Sequence, residues 1–146
     1  MKNRAPILAA AFLIPSLAMA GSTSPSPIED CGAKSAQSEM NDCLRREWKR
    51  ADDELNRTYL ALVTKLRIDP KALEFLRASE SAWIKYRDAD CDFATYAASH
   101  GTFHGTAVSW CLISITKDRT KELDSQLHCN EGDLSCITPL PPTPAP

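Results

Sequence analysis

The chain has 146 residues, of which 43% are hydrophobic and 25% are charged, and its formal net charge is −2. This length allows one globular domain. The slight excess of acidic residues excludes a strongly basic protein of the kind that binds phosphate backbones, so we expect no nucleic acid as a partner.

Residues 1–20 have the pattern of a secretion signal. Lys2 and Arg4 supply the positive start, an apolar run covers residues 7–14, and Ala-Met-Ala at 18–20 fits a cleavage site. The run is too short to span a bilayer and no cysteine follows the predicted cut, so we expect neither membrane insertion nor a lipid anchor. Without the two basic residues of the signal, 15 basic residues remain against 19 acidic ones, a net charge of −4. The mature protein is predicted to be periplasmic or secreted.

Six cysteines follow the predicted signal, and none of them forms a Cys-x-x-Cys pair. An even number of cysteines in a small exported protein is typical of disulfides, and an oxidising compartment disfavours thiolate ligands for a metal. We therefore predict that all six are disulfide-bonded: Cys31, Cys43, Cys91, Cys111, Cys129 and Cys136.

Three long stretches with apolar residues at steps of three and four predict three helices. The first is predicted over residues 37–67 and ends before Pro70, because the residue before a proline is pushed out of the helical region. The second is predicted over 70–99, and the third over 106–127 after a stretch with two glycines. The connections are short, so the predicted fold is all-α, an antiparallel three-helix bundle stapled by disulfides.

The register of this bundle indicates which cysteines meet. Folding the chain about the two turns brings Cys43 and Cys111 near the level of Cys91. We favour Cys31 with Cys43 and Cys91 with Cys111, the second of which clamps the second helix to the third. A bridge between Cys43 and Cys91 is the open alternative.

The segments on either side of the bundle carry no helical repeat. Residues 21–30 are rich in Ser, Thr and Pro and are predicted to be a flexible lead-in. Residues 128–146 contain two cysteines, which predict a small disulfide loop, and a Pro-rich stretch that is predicted to be a disordered tail. The folded domain is therefore expected over residues 31–127.

The second predicted helix has a polar seam within its apolar face. Glu80 and Arg87 share the face that carries Leu76 and Trp83, and charges on a buried face need partners. We predict a partly buried polar network that joins the helices, with the members Asp53, Asn56, Glu80, Arg87 and Arg119.

No group of residues indicates catalysis or a cofactor. Glu80 with Arg87 has no nucleophile or phosphate loop beside it, so we expect no enzymatic activity. His100 and His104 have the spacing of a zinc pair on a helix, with Asp92 as a conceivable third ligand. The glycines beside the histidines disfavour a helix there, so we expect a surface turn and no bound metal.

Three blocks of sequence carry a family resemblance. They are residues 31–59 with Ser-Glu-Met-Asn-Asp-Cys at 38–43, residues 82–91 with the sequence Ala-Trp-Ile-Lys-Tyr-Arg-Asp-Ala-Asp-Cys, and residues 101–123 with Gly-Thr at 101–102 and Cys-Leu at 111–112. Together they resemble the LprI-like family of exported, cysteine-containing helical proteins, which is named for lysozyme inhibition. Two positions depart from the family pattern: Ala36 stands where a threonine is common, and Glu80 where a glutamine is common.

The resemblance implies a non-catalytic binding protein that inhibits lysozyme-type peptidoglycan hydrolases, with a lysozyme or another cell-wall hydrolase as its protein partner. The net negative charge of the mature chain favours a basic partner. From its position we choose the turn between the second and third helices as the candidate contact, with an aromatic anchor at its centre. Its residues are His100, Thr102, Phe103 and His104. The alternative is a periplasmic scaffold or adaptor protein that has no hydrolase target.

Overall fold

The structure is a computed structural model that describes residues 27–129, 133 and 135–137, and every regular element among them is helical. The helices are α1 (Pro27–Gly32), α2 (Gln37–Lys65), α3 (Pro70–Thr95) and α4 (His104–Leu127), with a 3-10 turn at Tyr96–Ala98 between α3 and α4. The predicted all-α class is confirmed. The predicted signal at 1–20 and the Pro-rich stretch after residue 137 lie outside the described residues.

One element and three boundaries differ from the sequence prediction. α2 ends at Lys65, two residues before the predicted end. The short helix α1 begins within the segment that was predicted to be a lead-in. α3 ends at Thr95, before the predicted residue 99, and the buried hydroxyl of this threonine donates a hydrogen bond to the carbonyl oxygen of Cys91 at 2.7 Å. α4 begins two residues earlier than predicted, because the backbone N–H of Ala107 already donates to the carbonyl oxygen of Phe103 at 3.1 Å.

The buried apolar residues form two clusters along the bundle. The larger cluster consists of Leu55, Leu62, Leu66, Leu76 and Leu123. The second consists of Cys31, Cys43, Leu44 and Ile113. Both clusters join α2 to α4, the most extensive helix pair of the described chain, whereas α3 packs mainly on α4. An open cleft of about 450 Å³ lies between α2 and α3.

Three disulfides staple this arrangement. Cys31 pairs with Cys43 and links α1 to α2, and their Cα atoms lie 5.4 Å apart. Cys91 pairs with Cys111 and links α3 to α4, with a Cα distance of 5.6 Å. Cys129 and Cys136, 5.8 Å apart at Cα, close a loop after α4. These distances are normal for disulfides, and the alternative Cys43–Cys91 bridge does not form.

Side chains of α2 tie down both ends of α4. Thr106 is fully buried at the start of α4, where its hydroxyl donates to Asn41 Oδ1 at 2.7 Å and accepts from the side-chain amide of Gln37. At the other end, Lys65 Nζ donates to the carbonyl oxygens of the last two residues of α4, at 3.0 and 2.9 Å. The last turn of α4 has no basic residue of its own, so α2 supplies the positive charge that favours a helix C-terminus.

None of the described helices combines the length and apolar character needed to cross a bilayer.

The start of α3 depends on a single capping side chain. The Oδ1 atom of Asp69 accepts from the backbone N–H groups of Lys71 and Ala72 at 3.1 and 3.0 Å, and Pro70 follows it in the first turn. We expect Asp69→Ala to lower the free energy of unfolding by about 1 kcal/mol, because two N–H groups lose their acceptor. Urea denaturation followed by circular dichroism measures this loss. Asp69→Ser keeps a capping oxygen, so equal losses for the two variants would contradict a capping role.

Candidate functional site

The turn between α3 and α4 is braced on both sides by covalent and hydrogen-bonded links. The Cys91–Cys111 disulfide joins the two helices eight residues before Ser99 and seven residues after His104. Within it, the backbone N–H of Gly101 donates to the carbonyl oxygen of Ala98 at 2.9 Å, and that of His104 donates to the carbonyl oxygen of Gly101 at 3.2 Å. A short segment held in this way loses little conformational freedom when it binds a partner.

The side chains of this turn present one aromatic ring among polar groups. Phe103 is 52% exposed although it is the residue from which α4 starts. His100 and Thr102 are exposed, whereas His104 is half-buried. The Nδ1 atom of His104 is buried and has no hydrogen-bond partner among the described residues. The four predicted contact residues thus lie together at one end of the bundle, and three of them are open to solvent.

Two exposed aromatic residues precede the turn and were missed by the sequence prediction. Phe93 is 83% exposed near the end of α3, and Tyr96 is 74% exposed in the 3-10 turn. Neither belongs to the apolar seam that packs α3 into the bundle. Their sequence positions, which do not fit the apolar repeat of the buried face, could have indicated that Phe93 and Tyr96 are exposed.

Trp110 of α4 packs on α1 near the α3–α4 turn. Its side chain is 39% exposed, and the rest of its indole ring covers Gly32. A Cβ atom placed on Gly32 would lie 3.3 Å from Cζ2 of the ring, which is why a residue without a side chain suits this position.

The centre of the polar network is an ion pair between α3 and α4. Arg119 Nε donates to Glu80 Oε2 at 3.1 Å, and these two side chains are only 12% and 14% exposed. The same guanidinium donates from Nη2 to Ser79 Oγ at 2.9 Å and from Nη1 to Glu122 Oε2 at 3.0 Å. One arginine of α4 therefore holds three side-chain oxygens, two of them on α3.

Arg87 takes part in this network through an aromatic ring. The guanidinium carbon of Arg87 lies 5.3 Å from the ring centre of Trp83, and that of Arg119 lies 5.9 Å from it. Such distances are within the range of cation–π attraction. Arg87 also forms an ion pair with the neighbouring Asp88 at 2.8 Å.

Asp53 and Asn56 do not join the Glu80–Arg119 pair as the sequence predicted. Asp53 accepts from Lys49 Nζ at 2.9 Å, and the side-chain amide of Asn56 donates to Asp52 at 3.0 Å. Both bonds lie within α2 at i,i+4 spacing, which satisfies these groups locally. Asn56 lines the cleft between α2 and α3, across from Glu80 and Arg87 but without a direct bond to either.

No group of three His, Cys, Asp or Glu side chains in the part of the chain that the structure describes is placed to hold a metal ion.

A shifted pKa occurs in the loop closed by Cys129 and Cys136. There, the hydroxyl and the backbone N–H of Ser135 donate to Asp133 Oδ1 and lower the pKa of this exposed carboxyl. These hydrogen bonds lie within the loop and outside the α3–α4 turn.

The fold and the turn together define a small, disulfide-stapled helical domain that presents a braced, exposed loop at one end. Within that class, the chain belongs to the family described as Lysozyme inhibitor LprI, which it matches over residues 29–123. This confirms the resemblance seen in the sequence. The family description names an inhibitor rather than an enzyme.

Two relatives share most of their length with this chain. Uncharacterized protein R02472 of Rhizobium meliloti (strain 1021) is 33% identical over 143 residues, which cover 90% of this chain and 100% of that protein. Uncharacterized protein YecT of Escherichia coli (strain K12) is 27% identical over 127 residues, which cover 75% of this chain and 77% of that protein. No solved structure matches the chain.

Proposed function

We propose that this protein is an exported, non-catalytic inhibitor that binds a lysozyme-type peptidoglycan hydrolase through the turn at residues 99–104. The observation that carries the proposal is the exposure of Phe103, 52% open to solvent on a turn that the Cys91–Cys111 disulfide fixes. Other apolar side chains of the described chain are exposed as well, and Phe103 is chosen among them because it lies at the centre of a turn with exposed polar neighbours, where an aromatic anchor suits an interface. The family description supports a hydrolase as that partner.

The geometry suggests how the turn acts as an inhibitor. Phe103 supplies an apolar anchor, and the exposed His100 and Thr102 beside it supply hydrogen-bonding groups. Because the disulfide holds the turn in place before binding, the entropy cost of ordering it has already been met during folding. Seated in the substrate cleft of a hydrolase, the turn blocks access of the glycan strand without any chemical step.

Export places the inhibitor in the compartment where such hydrolases act. In this proposal residues 1–20 are the cleaved signal, 21–30 the lead-in, 31–127 the binding domain, and 128–146 a disulfide loop with a Pro-rich tail. The three disulfides fit an oxidising compartment. The mature charge of −4 favours encounter with a basic enzyme.

The test is the lysis of peptidoglycan by a c-type and a g-type lysozyme at increasing amounts of the oxidised protein. We expect dose-dependent inhibition, and we expect Phe103→Ala to raise the half-inhibitory concentration by about tenfold or more, as for a central interface anchor. Leu60→Ala is the matched control, because Leu60 is 60% exposed on α2, away from the turn.

Two outcomes would contradict the proposal in different ways. Inhibition that Phe103→Ala leaves unchanged assigns the contact to another surface. Absence of inhibition of either enzyme removes the hydrolase as the target and leaves the adaptor alternative.

A further inference from the structure

The cleft between α2 and α3 is open because each of these helices is held to α4 rather than to the other. α2 packs along α4. The Cys91–Cys111 disulfide joins α3 to α4, and Arg119 of α4 donates hydrogen bonds to two side chains of α3. Among the described residues, no hydrogen bond or ion pair links α2 directly to α3. The resulting cleft of about 450 Å³ is in the size range of pockets that hold small molecules.

Part of the cleft is apolar, and both helices contribute to this part. α2 supplies Leu55, which is buried, and Tyr59, which is half-buried. α3 supplies Trp83, which is half-buried, and Ile84, which is exposed at the edge. A ligand with an apolar body can therefore remove apolar surface from water on two sides, which favours its binding.

The charged side chains of the cleft leave an excess of positive charge on its α3 wall. The carboxylate of Glu80 is paired with Arg119. Arg77 and Lys85, which also line the cleft, are exposed and have no hydrogen-bond or ion-pair partner among the described residues. This basic wall occurs in a chain whose net charge is negative, and it favours an anionic ligand.

Arg87 adds a guanidinium to this wall in a position that its neighbours hold. Its side chain is only 14% exposed, and the guanidinium carbon lies 5.3 Å from the ring centre of Trp83. Nε donates to Asp88 Oδ1 at 2.8 Å, and Nη2 lies at the same distance from Asp88 Oδ1. The N–H groups of Nη1 have no acceptor among the described residues. A guanidinium with unused donors is suited to the oxygens of a carboxylate or a phosphate.

We propose that the α2–α3 cleft binds a small molecule that carries a carboxylate on an apolar body. The carboxylate accepts hydrogen bonds from Nη1 of Arg87, and the apolar body lies between Leu55 and Ile84. Asp52 lines the opposite wall and disfavours a phosphate, because it repels the second negative charge of that group. The inference does not rest on the proposed function, since no residue of the turn at 99–104 lines the cleft.

Titration with N-acetyl-leucine, followed by ¹H–¹⁵N NMR of the oxidised protein, tests this assignment. A molecule of this size is expected to bind with a dissociation constant of about 1 mM. It is expected to shift the indole N–H signal of Trp83, which a Trp83→Phe variant identifies. N-acetyl-leucine amide has the same body without the charge and is expected to bind about tenfold more weakly. Inorganic phosphate is expected to leave the signal unchanged.

Substitutions separate the direct contact from long-range attraction. Arg87→Gln is expected to raise the dissociation constant by about tenfold or more, because the hydrogen bonds to the carboxylate are lost. Arg77→Gln is expected to raise it about twofold at low ionic strength and to have no effect at about 0.5 M salt, which screens an exposed charge. Arg57→Gln is the matched control and is expected to change nothing, because Arg57 is exposed on α2 and does not line the cleft.

Circular dichroism of each variant checks that the fold is kept. If Arg87→Gln lowers the helix content, Arg87→Lys replaces it, since lysine keeps the charge but not the planar fork and is expected to weaken binding about threefold. Absence of a saturable shift up to about 20 mM N-acetyl-leucine overturns the proposal. Equal binding of the acid and its amide, or of phosphate and the acid, also overturns it, as does equal binding by the Arg87 and Arg57 variants.

Discussion

The double substitution Cys91→Ala/Cys111→Ala is expected to lower the free energy of unfolding by about 3 kcal/mol, the chain-entropy value for a loop of this length. The two cysteines are 20 residues apart, and Cys91 is buried in the bundle, 1% exposed. Alanine is the suitable replacement because it leaves no unpaired hydroxyl at a buried position. Urea denaturation of the oxidised protein, followed by circular dichroism, gives the value.

The third disulfide provides the comparison for this prediction. Cys129 and Cys136 are only 7 residues apart and close a loop after α4. The same relation gives about 2 kcal/mol for a loop of this size. Equal losses of stability in the Cys129→Ala/Cys136→Ala and Cys91→Ala/Cys111→Ala variants would contradict the dependence on loop length.

Removing the guanidinium of Arg119 should lower the free energy of unfolding by a similar amount, because a largely buried carboxylate then loses its partner. Arg119→Met keeps the length of the side chain but leaves the carboxylate of Glu80, 14% exposed, without its partner. Breaking a largely buried ion pair from one side costs about 3 kcal/mol or more. Chemical denaturation at neutral pH measures this loss.

A double-mutant cycle separates the unpaired charge from lost packing. Glu80→Gln removes the charge but keeps a hydrogen-bond acceptor for Arg119, so we expect this variant to lose only about 1 kcal/mol. In the Glu80→Gln background, Arg119→Met should cost clearly less than it does alone, because no buried charge is then stranded. Equal costs in the two backgrounds would falsify the assignment of the effect to the ion pair.

Most of the helical architecture follows from the periodicity of the sequence. The apolar face of α2 could be predicted because its leucines recur on one side. Leu44, Leu55 and Leu62 are buried on that side, as is Leu66 directly after the helix. The ends of the helices were harder to predict, since a 3-10 turn at Tyr96–Ala98 follows Thr95 where the sequence pattern predicted more α-helix. α1 was not predicted because a six-residue helix owes little to its own sequence. It is held by the Cys31–Cys43 disulfide and by the ring of Trp110 over Gly32.

The candidate sites were predictable in part, for a similar reason. The inner polar face of α3 could be read because Glu80 shares a side of the helix with Leu76 and Trp83. Whether Asp53 and Asn56 reach the polar face of α3 depends on how α2 is rotated about its axis. In the structure both side chains form hydrogen bonds with residues of α2 itself.

The placement of the disulfides divides the covalent structure at the turn between α2 and α3. Cys31–Cys43 lies entirely before this turn, and Cys91–Cys111 and Cys129–Cys136 lie entirely after it. A protease cut at residues 67–68 therefore yields two fragments with no covalent link between them, each with its own disulfides intact. The pairing of α2 with α4 would then rest on noncovalent contacts alone, so the two fragments form a natural pair for reconstitution of the bundle from separate chains.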